Sequence, residues 1–174
     1  MRINKISTAH SFAPLATDSA RCLVLGSMPG QASLAQHQYY AHPRNAFWPI
    51  MAQLLDFDPT LAYDKRCHSL CKGGVALWDV LQSCQRPGSL DANIVASSIV
   101  ANNIAGFLQQ HSNVTAIYFN GATAERLFRK HVATSTSAWC SAMTLLRMPS
   151  TSPAHAAISF KQKLAHWSQL KSNL

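Results

Sequence analysis

The sequence predicts an α/β domain: a three-layer sandwich in which a central four-stranded, mainly parallel sheet is flanked by helices. Three observations point there. Four short apolar runs recur, at 21–26, 75–80, 114–120 and 143–148, continuous rather than alternating, as in strands buried on both faces. Stretches of helical spacing separate them, which parallel pairing requires. Each run ends on turn-forming or polar residues: Gly26-Ser27, Asp79, Asn120-Gly121 and Pro149-Ser150. Parallel strands bring such ends to one edge of the sheet, where open α/β folds bind their ligands.

The elements follow in order. Residues 1–20 are polar and irregular. The first strand breaks at Gly26-Ser27-Met28-Pro29-Gly30, since two glycines and a proline neither continue a strand nor start a long helix. One or two helical turns are expected within 33–40. Pro43 restricts His42 to extended geometry. A helix then spans 44–55, with Phe47, Ile50, Met51, Leu54 and Leu55 at helical spacing and Pro49 in its first turn. A second helix, 60–71, stops near Gly73-Gly74 ahead of the second strand. Residues 85–91 form a loop around Pro87-Gly88, and 92–100 are locally ambiguous. Asn102 or Asn103 caps a helix reaching His111. The third strand leads through Gly121 into a helix that includes Lys130. The fourth leads into a Pro/Ser loop, and a last helix covers 157–170. With 174 residues, no repeat and no linker, 1–174 reads as a single domain.

Charge narrows the partners. The net charge is +8, and no Asp or Glu follows Glu125, while Arg126, Arg129, Lys130, Arg147, Lys161, Lys163 and Lys171 do. A polyanion is the natural partner, against the plainer alternative of an idle basic surface. No apolar run approaches the ~18 residues of a membrane span. Residues 1–12 lack the apolar core of a signal peptide, so a cytoplasmic protein without membrane contact is expected. Cys22, Cys67, Cys71, Cys84 and Cys140 are odd in number and irregular in spacing, which argues against a disulfide framework. Cys67-His68-x-x-Cys71 has no second paired element to complete a zinc site, so no metal is expected.

The chemistry concentrates in 23–48. Beside the glycine turn stand Tyr39, Tyr40, His42, Arg44, Asn45, Phe47 and Trp48, which suggest a pocket for a flat polar ring. The turn lacks the Gly-Lys-Ser/Thr ending of a P-loop and the GxGxxG spacing of a dinucleotide site. GSMPG followed by HPRNAFW, then GVALWDV, FNG and MPSTSPA, resembles the uracil-DNA glycosylase superfamily. Within it the set is most similar to the hypoxanthine-DNA glycosylase, or DNA-deoxyinosine glycosylase, branch, over about 10–170. The cysteine spacings do not match the iron–sulfur sites of other branches.

That resemblance implies an enzyme that takes a deaminated base, most readily hypoxanthine, out of DNA and hydrolyses its N-glycosidic bond without a cofactor. The superfamily also implies a monomer. No lysine falls within the first two motifs, so no Schiff-base nucleophile is expected, and the product is an abasic site. Phe47 matches the phenylalanine that stacks on the flipped base. Gly26, Ser27, Met28, Pro29 and Gly30 would hold base and water through backbone N–H groups. Met28 stands where the mismatch-specific branch has a water-positioning Asn, and a thioether cannot orient water. Asn45 of HPRNAFW is the nearest replacement, against a plain helix-capping role, with Asp79 as a second candidate. His42 or His155 could donate to the departing base; Asn120 could contact it. Ser150, Thr151 and Ser152 of the second motif suit phosphate oxygens, with Arg44, His155, Lys161 and Lys163 as further DNA contacts. Uracil is the close alternative substrate. A non-catalytic nucleotide or nucleic-acid binding module is the alternative of another class, kept open by Met28.

Overall fold

The computed structural model describes residues 7–133 and 141–174; Cys140 lies outside them. The chain runs β1 (Thr8–His10), β2 (Cys22–Gly26), α1 (Gln31–Gln36), α2 (Phe47–Leu55), α3 (Tyr63–Lys72), β3 (Val75–Asp79), β4 (Leu81–Gln85), β5 (Val100–Ala101), α4 (Ile104–Gln110), β6 (Ala116–Asn120), α5 (Ala122–His131), β7 (Thr144–Met148) and α6 (Phe160–Trp167). The four expected strands form one parallel sheet in the order β3-β2-β6-β7.

The continuous apolar runs are explained by burial on both faces. Leu23, Leu25, Ile117 and Phe119 pack against Ile104, Phe107 and Leu108 of α4 and Leu127 and Phe128 of α5. The alternate residues Cys22, Val24, Ala116 and Tyr118 meet Phe47, Ile50, Met51 and Leu54 of α2, Leu70 of α3, and Trp167. The register sets Gly26 opposite Asp79 and Asn120 opposite Met148, so all four strand ends reach one edge.

A second, antiparallel sheet, β1-β4-β5, adds to the expected architecture. It folds 81–85, next to the predicted second strand, and parts of the polar 1–20 and ambiguous 92–100 segments into a small platform beside that edge. Asn103 caps α4, its side chain accepting from Gly106 N–H at 2.9 Å. Ser159 and Gln162 form a reciprocal capping box at the start of α6. Among the described residues no helix is long and apolar enough to cross a membrane. None of their His, Cys, Asp and Glu side chains group in threes that could hold a metal ion.

Candidate active site

A cleft of about 660 Å³ opens at the strand ends. It is built from the Gly26–Gly30 turn, Tyr39 to Asn45, Asp79, Ser89 to Asp91, Asn120, and the second loop from Ser150 to His155. The sequence thus brings most of its separated candidate motifs to one place.

The turn forms the floor. The carbonyls of Gly26 to Pro29 face the β3–β4 side, while that of Gly30 accepts from Leu34 N–H at 2.9 Å in α1. Gly26 and Ser27 accept from the N–H groups of Val80 (2.8 Å) and Leu81 (3.1 Å). Met28 accepts from the Arg86 guanidinium at 3.4 Å, and Pro29 accepts from the same group. Planar trans peptides then send the N–H groups of Ser27, Met28 and Gly30 away from that side. None of these three has a partner among the described residues. The Met28 side chain packs into the core, with 6% of the residue exposed. Met28 therefore offers the cleft its backbone, and the thioether does not occupy a water-orienting position.

Arg86 was not anticipated, although it falls in the predicted 85–91 loop, just before Pro87-Gly88. Its side chain is 1% exposed, also donates to Gly88 O at 3.2 Å, and pairs with Asp91 at 3.5 Å. Asp91 in turn accepts from Ser27 Oγ at 2.7 Å. Burial pushes the Asp91 carboxyl pKa up, opposed by Ser27, Arg86 and Arg126.

The base-stacking assignment to Phe47 requires correction. Phe47 is fully buried, because it opens α2 on the same helical face as Ile50, Met51 and Leu54. The ring that lines the cleft is Tyr40, stacked on Phe47 with centroids 4.2 Å apart and planes at 29°. Tyr40 sits in a left-handed backbone conformation, φ 54°, which few non-glycine residues adopt. Its hydroxyl is buried with no hydrogen-bond partner, and burial first of all drives the phenol pKa up, keeping the proton on.

Asp79 is 3% exposed and accepts from Ser11 Oγ at 2.7 Å. Burial, reinforced by Asp91 and opposed by Ser11 and Arg86, pushes its pKa to about 7. Gly26 is required beside it: a Cβ there would lie 2.4 Å from Asp79 Oδ1 and 3.0 Å from the Tyr40 hydroxyl oxygen. Gly26→Ala is expected to cost roughly 1–3 kcal/mol by overpacking and to depress turnover at least tenfold. Thermal melts and base-excision rates on the same preparation check it.

Asn45 lines the cleft, and its Oδ1 accepts from Phe47 N–H at 2.9 Å, leaving Nδ2 as a donor. His42 Nδ1 accepts from Arg44 N–H at 3.1 Å. In the neutral ring this places the proton on Nε2, which can donate. Arg44 is exposed on the rim.

Other assignments shift. Asn120 is a brace: its amide donates to Thr151 Oγ1 and its Oδ1 accepts from Thr151 N–H, both at 2.8 Å, while the amide keeps a second N–H at the cleft lining. Thr151 is 1% exposed and tied further to α2, its carbonyl accepting from Ala46 N–H at 3.0 Å. Lys163 is buried, with Nζ donating to Ser152 O at 3.4 Å; it supports the second loop from within because Trp167, one turn on, faces the core. Lys161 is exposed on α6, outside the cleft lining. Ser150 and Ser152 hydroxyls accept from Ser152 and Ala154 N–H groups (3.2 Å each) and keep their own protons for a phosphate. His155 is exposed on the rim.

The cleft thus presents backbone N–H groups, a phenol, an imidazole and an amide around one buried carboxyl. Comparison with known proteins agrees in fold and kind. The sequence pattern of the Uracil DNA glycosylase superfamily matches residues 13–171. A hypoxanthine DNA glycosylase of Methanosarcina barkeri is 32% identical over 113 residues, 64% of this chain and 70% of that one. Its counterpart in Methanosarcina acetivorans is 31% identical over 116 residues, 66% and 72% of the two chains. The solution NMR structure of a Methanosarcina acetivorans protein provisionally named a uracil DNA glycosylase superimposes with a TM-score of 0.76 at 25% identity. That superposition covers 95% of this chain and 99% of the other. The chain belongs to the uracil DNA glycosylase superfamily and is a DNA N-glycosylase.

Proposed function

We propose that this glycosylase removes hypoxanthine from DNA by monofunctional hydrolysis, acting as a monomer and leaving an abasic site. The observation that supports it most is the donor-lined floor: the Ser27, Met28 and Gly30 N–H groups, unbonded and directed away from the carbonyls that anchor the turn. Cleavage of the N-glycosidic bond leaves an electron pair on the base and an oxocarbenium-like sugar. Preorganised donors stabilise the first, and a positioned water captures the second. Tyr40 stacks on the extruded base, and the Nε2–H of His42 and the Tyr40 hydroxyl donate to its acceptors. Asn45 holds the water through Nδ2, and Asp79, once ionised, takes its proton. The two relatives named for hypoxanthine support the purine over uracil.

The test is excision from oligonucleotides bearing one deoxyinosine or one deoxyuridine, read as alkali-labile breaks. Wild type is expected to cut at deoxyinosine. Asn45→Ala should lose about 10²–10³ in rate, as for loss of a preorganised donor, and ~1 kcal/mol of stability with the hydrogen bond from Phe47 N–H. Asn45→Asp keeps the oxygen that accepts from Phe47 N–H but not the donor, so it should fold normally and remain slow. Cleavage at deoxyuridine alone would replace the substrate, and DNA binding without cleavage at either base would leave a binding module.

A further inference from the structure

A groove of about 560 Å³ lies between α5 and β7, and none of the described residues that line it lines the cleft. Arg126, Arg129, Lys130 and Arg147 surround it, all exposed, with Glu125 the one carboxylate among its described lining residues. Glu125 is buried and holds two of the four: Oε1 accepts from Arg129 Nη2 at 2.7 Å, and Oε2 accepts from Arg147 Nε. One guanidinium from the helix and one from the strand are thereby fixed on the same groove. Arg126 and Lys130 have no ion pair among the described residues. The plainer reading is a basic helix end, and Arg129 and Lys130 fit it, since cations in a last turn suit the helix dipole. Arg126 does not. It stands in the first half of α5, four residues before Lys130, where like charges at that spacing repel. An anion in the groove removes the repulsion. The groove also continues the cleft. Ala122 and Thr123 of its lining follow Asn120-Gly121, Arg147 precedes Met148, and Gly121 N–H donates to Met148 O at 3.0 Å. Across that seam is Ser150 of the cleft, whose Cβ lies 3.0 Å from where a Cβ on Gly121 would sit.

We propose that this groove is a second DNA-binding surface, which holds backbone phosphates of the duplex beyond the lesion, an inference that rests on DNA entering the adjoining cleft. The guanidinium forks suit phosphate oxygens, and continuity with the cleft favours phosphates over an acidic protein segment. The groove reads no base and takes no part in breaking the glycosidic bond.

The full-length chain is titrated over a range of salt with duplexes carrying one deoxyinosine or one deoxyuridine. A short duplex spans the cleft alone; a long one adds a helical turn on either side. Arg126→Gln together with Lys130→Gln removes the two cations that Glu125 does not hold, so the fold is kept, as thermal melts check. On the long duplex the double variant binds about tenfold more weakly, and its log–log salt slope is shallower than that of wild type by about 2. On the short duplex the two proteins bind alike, and single-turnover excision at saturating DNA keeps the wild-type rate. Lys65→Gln with Lys72→Gln, exposed on α3 across the sheet, removes the same charge and keeps the wild-type slope. Equal slopes for groove variant and wild type on the long duplex, an equal loss on the short one, or an equal loss from the α3 pair overturns the second surface. If wild type excises neither base while the groove variant still flattens the slope on the long duplex alone, the surface stands and the assigned chemistry falls.

Discussion

Replacing Asp79 with Asn is expected to stabilise the protein, and to do so far more at pH 8 than at pH 5. The carboxyl is buried, and its pKa is raised from 3.8 to about 7. An unfolded chain releases the proton near 3.8, whereas the native state holds it to about 7. Between those values the native state binds more protons, so stability falls as pH rises, and above pH 7 the full penalty persists. From pH 5 to 8 the loss is roughly 3 kcal/mol. The groups facing Asp79 that set this are Ser11 and Arg86, which favour the anion, and Asp91, which opposes it. Asn accepts the Ser11 hydrogen bond and does not titrate, so its melting temperature should vary much less with pH. Turnover should move the other way. If the carboxylate takes the water's proton, wild-type excision rises with pH through about 7 and the Asn variant loses that limb. A rate that falls over the same range would instead give the protonated carboxyl a donor's role. Melts at pH 5 and 8 and a pH–rate profile of both proteins decide it.

The parallel sheet was legible because each strand is a short run closed by a turn, and three of the four are buried on both faces; β7, at the edge, leaves Thr144 and Arg147 exposed. The antiparallel platform was not. In β4, Leu81, Ser83 and Cys84 are buried between exposed Gln82 and half-buried Gln85, and β5 has two residues. Segments so short and mixed owe their pairing to tertiary contacts rather than to propensity. The turn and residues of the HPRNAFW motif both line the cleft, but which side chains face it depends on orientation. Phe47 shares a helical face with Ile50, Met51 and Leu54, a periodicity that already placed it inward. Tyr40 faces the cleft through a left-handed backbone that no pattern announces. Lys163, four residues before buried Trp167, was foreseeable as an inward lysine. Arg86 was not, because its partners are carbonyls of a loop 57 and 58 residues away.

Arg86→Ala should be the most damaging single change in the site. The guanidinium reaches Met28 O, Pro29 O and Gly88 O and pairs with Asp91, so a planar fork of donors clamps the turn that forms the cleft floor. Truncation strands three carbonyls and leaves the half-buried Asp91 carboxylate without its cation, a loss of about 3 kcal/mol. With its carbonyls released, the turn no longer fixes the three N–H groups, and the donors for the leaving base lose their preorganisation. Arg86→Lys separates position from stability. One ammonium can keep the pairing with Asp91 but cannot span the carbonyls, so the variant should fold while kcat falls about 10²-fold or more. KM should change little, because phosphate contacts on the rim dominate DNA affinity. Arg86 also lowers the Asp79 pKa, so removing the guanidinium should move the pH–rate midpoint above its wild-type position near 7. A merely structural arginine would shift stability and leave both kcat and that midpoint in place. Arg86→Lys with wild-type kcat would show that the turn holds its geometry without the clamp.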